Sequence, residues 1–136
     1  MENDYFKTLW DKAIKSYNSA KDNATRYPDT AANRAYYCAF YAVSALFASE
    51  GVHFKKHSAI RAAVHKDLIH TKRWESELGD DFDNLIELRE LADYGGADSV
   101  SKKSVKTALD RAKRILKAIH MEKPELFLLP KDLEHI

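Results

Sequence analysis

A chain of 136 residues, 45% hydrophobic and 32% charged, is long enough for one compact domain with a real core and too short for two ordinary ones. Its 22 basic and 21 acidic side chains leave a formal charge of +1, which excludes a global basic field for unspecific nucleic-acid binding, so any RNA contact has to be local. The single cysteine, Cys38, excludes an internal disulfide and argues against a thiolate metal cluster. No apolar run reaches the roughly 20 residues that span a bilayer, and the acidic start followed by Trp10, Lys12 and Lys15 does not resemble a secretory leader. The expectation is a cytoplasmic protein with no membrane partner.

The four glycines and three prolines fall where the hydrophobic periodicity breaks. Tyr5, Phe6, Leu9, Trp10, Ala13, Ile14, Tyr17 and Ala20 recur at threes and fours, predicting an amphipathic first helix with Asn3 or Asp4 as its N-cap. A second helix is expected from Asp29 or Thr30 to about Glu50, closed by Gly51 in a left-handed C-cap. Apolar residues surround it on nearly all sides, which places it at the centre of the fold. Ser58 is expected to cap a short third helix in which Ile60, Val64 and Leu68 repeat at fours. Gly79 is expected to separate a short segment carrying Trp74 and Leu78 from a fourth helix, which begins at Asp80 or Asp81 with an acidic first turn and stops at Gly95-Gly96. Ser99 or Ser101 caps the fifth, where Val105, Ala108, Ala112, Ile115, Leu116 and Ile119 face inward, opposite a solvated basic face that includes Lys103, Arg111 and Arg114. With no β alternation, the pattern predicts an all-α fold: an antiparallel bundle of four to five helices over 1–122 and a C-terminal tail at 123–136. Leu126 to Leu129 in that tail are expected to cover a bundle edge or a partner subunit.

Two segments, Asn33-Arg34-Ala35-Tyr36-Tyr37 and Glu87-Leu88-Arg89-Glu90-Leu91-Ala92-Asp93-Tyr94-Gly95, put charges on helix faces that are otherwise apolar. Asp93 follows Arg89 by one helical turn and shares a face with Phe82, Leu85 and Ile86. Arg34, Arg89 and Asp93 must therefore satisfy one another, a ligand or a second subunit, because an unpaired ion away from water costs several kcal/mol, roughly. Asn33 and Tyr37 stand one turn apart beside Arg34, and either complete a phosphate-binding site or hydrogen-bond within the bundle. No metal and no cofactor are assigned, since His53 with His57, and His65 with His70, lack the companion spacing of a zinc site.

Asn33-Arg34-Ala35-Tyr36-Tyr37-Cys38-Ala39-Phe40-Tyr41-Ala42, Lys56-His57-Ser58 and Arg89-Glu90-Leu91-Ala92-Asp93-Tyr94-Gly95 resemble, in that order and spacing, the second helix, the third-helix start and the fourth-helix end of one prokaryotic branch of the HEPN domains. The resemblance covers roughly residues 5 to 120. It implies a HEPN-like bundle of four or five helices that commonly dimerises, acting in toxin-antitoxin or defence systems, often beside a minimal nucleotidyltransferase. Several HEPN branches are metal-independent ribonucleases, which carry an arginine followed after four to six residues by a histidine.

This chain departs from that pattern at one position, because Tyr94 stands where the histidine is expected after Arg89. A phenol with a pKa of about 10 is a poor base where imidazole titrates near neutrality. Three readings follow. The first is a homodimeric module that binds RNA or a nucleotide through Asn33, Arg34, Tyr37, Arg89 and Asp93, with Tyr94 as an acceptor for a nucleotidyl group or as a packing residue. The second is a ribonuclease with Arg89, Tyr94 and His57 as catalytic groups. The third is a scaffold whose polar network only fixes packing.

Overall fold

A computed structural model describes residues 4–96 and 99–134, and every regular element among them is helical. The order is α1 (Tyr5–Asn23), α2 (Pro28–Ala48), α3 (His57–Ala63), α4 (Ser76–Tyr94), α5 (Lys102–Glu122) and a four-residue α6 (Lys131–Glu134), with a π-helical turn (Val64–Ile69) continuing α3. No helix among the described residues is long and apolar enough to cross a membrane.

The centre of the bundle is α2, which packs against α1, α4 and α5 and touches α3. Its small residues Ala35, Cys38, Ala39, Ala42 and Ala45 are fully buried and let neighbouring helices approach closely. Leu46, Phe82, Leu85, Ile115, Leu116 and Ile119 fill the space between them. Burial pushes the Cys38 thiol up, so it stays protonated. A smaller cluster of Ala31, Ala32, Val100 and Val105, with Leu88 and Ala92 against it, ties the start of α2 to the end of α4 and the start of α5. That cluster fixes the position of the α4 end that carries the charged motif.

Several helix boundaries differ from the sequence expectation for local reasons. The first turn of α2 begins on Pro28 itself, whose missing N–H costs nothing at that position, with Asp29 inside the turn and Tyr27 as N-cap. At the other end Gly51 has φ 80°, as the left-handed cap requires, and the Val52 N–H reaches back to the Phe47 carbonyl. Asp4 flanks α1 without a side-chain capping bond, and Asn3 lies outside the described residues. The N-cap of α3 is Lys56 rather than Ser58, although Ile60, Val64 and Leu68 are buried as expected. Ser101 caps α5, accepting the Ser104 N–H at 3.0 Å.

Gly79 does not divide α4 but lies within it, buried. A Cβ there would stand 3.1 Å from both His65 Cε1 and Ile69 Cγ1, so the missing side chain lets the π-helical turn lie against α4. The helix consequently starts one turn earlier, and Asp81 is not a solvated first-turn acid. It is fully buried, and its carboxylate accepts from Arg111 Nη1 at 2.9 Å and from Arg114 Nε and Nη2 at 2.8 Å each. The two arginines expected on the solvated face of α5 therefore lock α5 to α4. The tail folds back onto the same core. Phe127 is fully buried against Phe6 and Trp10, Trp10 Nε1 donates to the Leu128 carbonyl at 2.8 Å, and Leu129 and Leu133 are buried beside them.

Candidate functional site

Beyond its first turn, the residues of α2 that retain partial exposure form one stripe, Asn33, Arg34, Tyr37, Phe40, Tyr41, Ser44 and Ala48, while the rest of the helix is buried. The spacing follows from 3.6 residues per turn. The C-terminal half of α4 lies beside the start of that stripe. Arg89 is carried there by Phe82 and Leu85 on the same face, both buried against the core, so its stem is held and its head lies at the rim.

At this rim the sequence-selected groups meet. The Arg89 guanidinium lies over two rings of α2, its Cζ 5.3 Å from the Tyr36 centroid and 5.6 Å from that of Tyr37. Arg34 covers the Tyr37 ring at 4.9 Å. Tyr37 thus carries a guanidinium contact from each helix, an arrangement worth about 0.5–1 kcal/mol per contact at an exposed site. Asn33 Nδ2 reaches both Asp93 oxygens, at 3.3 and 3.4 Å, and Asn33 Oδ1 accepts from Arg34 Nε at 3.1 Å and Nη2 at 2.8 Å. Arg34 is therefore linked to Asp93 through Asn33 rather than paired with it directly.

Arg89 Nε is 3.2 Å from Asp93 Oδ2, within ion-pair distance. Yet its N–H is not directed at that oxygen, and this buried nitrogen makes no hydrogen bond. Charge attraction is satisfied without the directional bond, and Asp93 covers the nitrogen from solvent.

His57, the first residue of α3, joins the group from the side. Its ring lies 4.2 Å from Phe40, 5.7 Å from Tyr37 and 6.3 Å from Tyr36, centroid to centroid. Burial against those rings and then the positive charge of Arg89 lower its pKa from the ordinary histidine value, so the imidazole is neutral at pH 7. Burial raises the Tyr36 phenol to about 12, an effect that Arg89 opposes, and this hydroxyl stays protonated too. Tyr94, at the last position of α4, is 80% exposed. Five residues on from Arg89, it points about 140° away around the helix, so it stands outside the cluster.

Sequence reasoning passed over two contributors. Tyr36, given no role of its own in the sequence, is buried, and its face carries Arg89. Phe40, likewise given none, supports His57. An arginine on an otherwise apolar α4 face was the available signal that an aromatic face had to receive it.

Three other polar groupings stand apart. Glu50, Arg73, Glu122 and Lys123 form an ion network joining the ends of α2 and α5 to the loop before α4, and Trp74 Nε1 donates to Glu122 at 2.8 Å. Hydrogen bonding from Arg73 foremost holds the Glu50 carboxyl below its usual range. Asp83 bridges Arg61 at 3.0 Å and His65 at 2.9 Å. The buried Asp81 with Arg111 and Arg114 is the third.

Among known proteins, the chain is 37% identical over 90 residues to a Thermotoga maritima protein named UPF0332 protein, covering 66% of this chain and 68% of that one. It is 28% identical over 127 residues to a Methanocaldococcus jannaschii protein named as a candidate toxin, covering 92% of this chain and 82% of the relative. The HEPN domain model matches residues 6–123, which takes in α1 from its second residue through α5 and every residue of the cluster. The chain therefore belongs to the HEPN domain family.

Proposed function

We propose that the cluster of Arg34, Arg89, Asn33, Tyr37 and Asp93 is a phosphate-recognition site for RNA or a nucleotide, and that the protein works as a dimeric HEPN module of a toxin-antitoxin or defence system. The observation that carries this reading is the Arg89 Nε–H, buried, cationic and without a hydrogen-bond acceptor. An unmade hydrogen bond of that kind costs about 1–3 kcal/mol, and a phosphate oxygen recovers it. Contact with the Tyr36 and Tyr37 rings restrains the guanidinium, which favours the two-pronged grip of arginine on phosphate over a loose point-charge contact. Asp93 occupies that grip in the free protein and gives way when a stronger polyanion arrives, with Asn33 released alongside it. A minimal nucleotidyltransferase is the partner this reading expects, and Tyr94, with its hydroxyl on an 80% exposed residue, is open to receive a nucleotidyl group from it.

The placement of His57 supports a second reading. A neutral imidazole beside a guanidinium is the pairing a metal-independent ribonuclease needs: His57 accepts the 2′-hydroxyl proton as that oxygen attacks phosphorus, Arg89 stabilises the charge on the phosphorane, and the departing 5′-oxygen takes its proton from solvent.

One experiment separates the two. Short RNA is incubated with the protein in chelator, and binding and chain length are followed together. Intact RNA, bound by wild type and tenfold more weakly by Arg89→Ala, supports the recognition module. Cleavage that disappears in both Arg89→Ala and His57→Ala moves the assignment to the ribonuclease, and neither binding nor cleavage sinks both.

A further inference from the structure

We infer that the phosphate site continues along α2 into a stacking cleft for a planar base, so that the ligand is a single-stranded segment rather than a lone phosphate. This rests on the phosphate reading of Arg34 and Arg89 and names what lies next to it. One turn beyond Tyr37, the exposed stripe of α2 enters a cleft of about 170 Å³ between α1, α2 and the loop before α3. Its walls include Tyr5, Lys12, Phe40, Tyr41, His53 and Phe54. Phe40 belongs to both places, since its other neighbour is His57 at 4.2 Å.

The chemistry of the walls selects the occupant. Tyr5 and His53 lie with ring centroids 5.8 Å apart and planes tilted by 49°, and Lys12 Nζ stands 5.5 Å from the centre of the Tyr41 ring. Lys12 lies over the Tyr41 face, so a base stacks there by turning the ammonium aside toward its own phosphate, and such platforms accept any base because every base has a π face. From Arg34 to Tyr41 the helix rises about 10 Å, which matches about three stacked steps of a strand at roughly 3.4 Å each.

Charge favours a polyanion. Arg34 and Arg89 stand at one end of the track and Lys12 at the other, with exposed Lys55 and Lys56 on the loop between them in sequence. Asp93, the carboxylate within the cluster, is already engaged by Arg89 and Asn33. A second copy of the chain fits less well. Phe40 and Tyr41 are only partly exposed and line a narrow slot, whereas a stable dimer contact needs about 800 Å² from each partner.

The test compares two probes by fluorescence anisotropy at fixed salt in chelator: a single-stranded hexanucleotide, and an abasic sugar-phosphate chain of the same length. The hexanucleotide is expected to bind at least tenfold more tightly. Tyr41→Leu and, at an exposed position where folding is not at issue, Tyr5→Leu should each remove most of that advantage while leaving abasic binding unchanged. Arg89→Ala should weaken both probes. Equal affinity for the two probes, or no effect of either leucine variant, overturns the stacking cleft while Arg89-dependent binding of the abasic chain would still uphold the phosphate site. Loss of Arg89 dependence for both probes overturns the phosphate site and the cleft with it. Dissociation of a dimer by Tyr41→Leu, with nucleotide binding intact, assigns the slot to a second copy and also overturns the inference.

Discussion

Arg89 Nε and Asp93 Oδ2 stand 3.2 Å apart, yet the nitrogen's proton is not directed at the oxygen. The two charges neutralise one another while the directional bond stays unmade. A small rotation of the carboxylate would close that bond, so Asp93 is not locked onto Arg89. In the phosphate reading Asp93 instead holds the place of an anionic ligand and competes with it.

That competition has a testable sign. Asp93→Asn removes a negative charge from the ligand's position while keeping the shape of the side chain, so nucleotide affinity should rise severalfold and its salt dependence should steepen, both measurable by titration calorimetry. If Asp93 acts only in packing, the same variant leaves affinity unaffected and lowers the melting temperature.

His57 reports on the same site from a different helix. Its pKa is lowered by burial against the aromatic rings and then by Arg89. Proton NMR of the imidazole should therefore show titration below the ordinary value of about 6.5. The midpoint should move back upward in Arg89→Ala, since removing a positive neighbour makes protonation easier. A midpoint indifferent to Arg89 would separate His57 from the cluster.

The charged motif was legible in the sequence because its signal is local. Arg89 and Asp93 are one turn apart on a face that Phe82 and Leu85 make apolar, and no tertiary knowledge is needed to see that these charges require partners. Asp81 was illegible for the opposite reason. An aspartate shortly after a glycine looks like a helix start, and only the packing of α4 on α5 shows that Arg111 and Arg114 converge on it. Gly79 misled in the same way, since its absent side chain serves a π-helical turn that periodicity at fours does not reveal. The place of His57 depended on how the loop before α3 returns to α2, which no local pattern encodes.

The buried carboxylate should be the most sensitive single position for stability. Asp81 is fully buried and accepts from two arginines, so Asp81→Asn leaves both guanidinium groups short of their counter-charge at the α4–α5 contact. The expected loss is about 3 kcal/mol, read as a shift of the urea midpoint. A shift below about 0.5 kcal/mol would mean that water replaces the carboxylate without penalty.

Glu50 supplies a pH dependence with a definite sign. Arg73 and Lys123 hold its carboxyl below the ordinary carboxylate range, so the folded protein keeps this group ionised at a pH where the unfolded chain takes up a proton. Its contribution is present in full above the unfolded value of about 4.3 and is lost as pH falls through the lower folded value. Urea denaturation from pH 7 to pH 3 should show wild type more stable than Glu50→Gln at neutral pH, with the gap narrowing at the acid end. A gap independent of pH would show that the network acts through hydrogen bonding alone.

The most direct measurement of the central claim is a calorimetric titration of wild type and Arg89→Ala with a nucleotide, with urea denaturation of both proteins alongside. Phosphate recognition predicts that affinity falls at least tenfold while the variant remains folded with a loss of no more than about 3 kcal/mol. A variant that is severely destabilised but binds as wild type does would contradict the claim and reduce the Arg89–Asp93 pair to a device for packing.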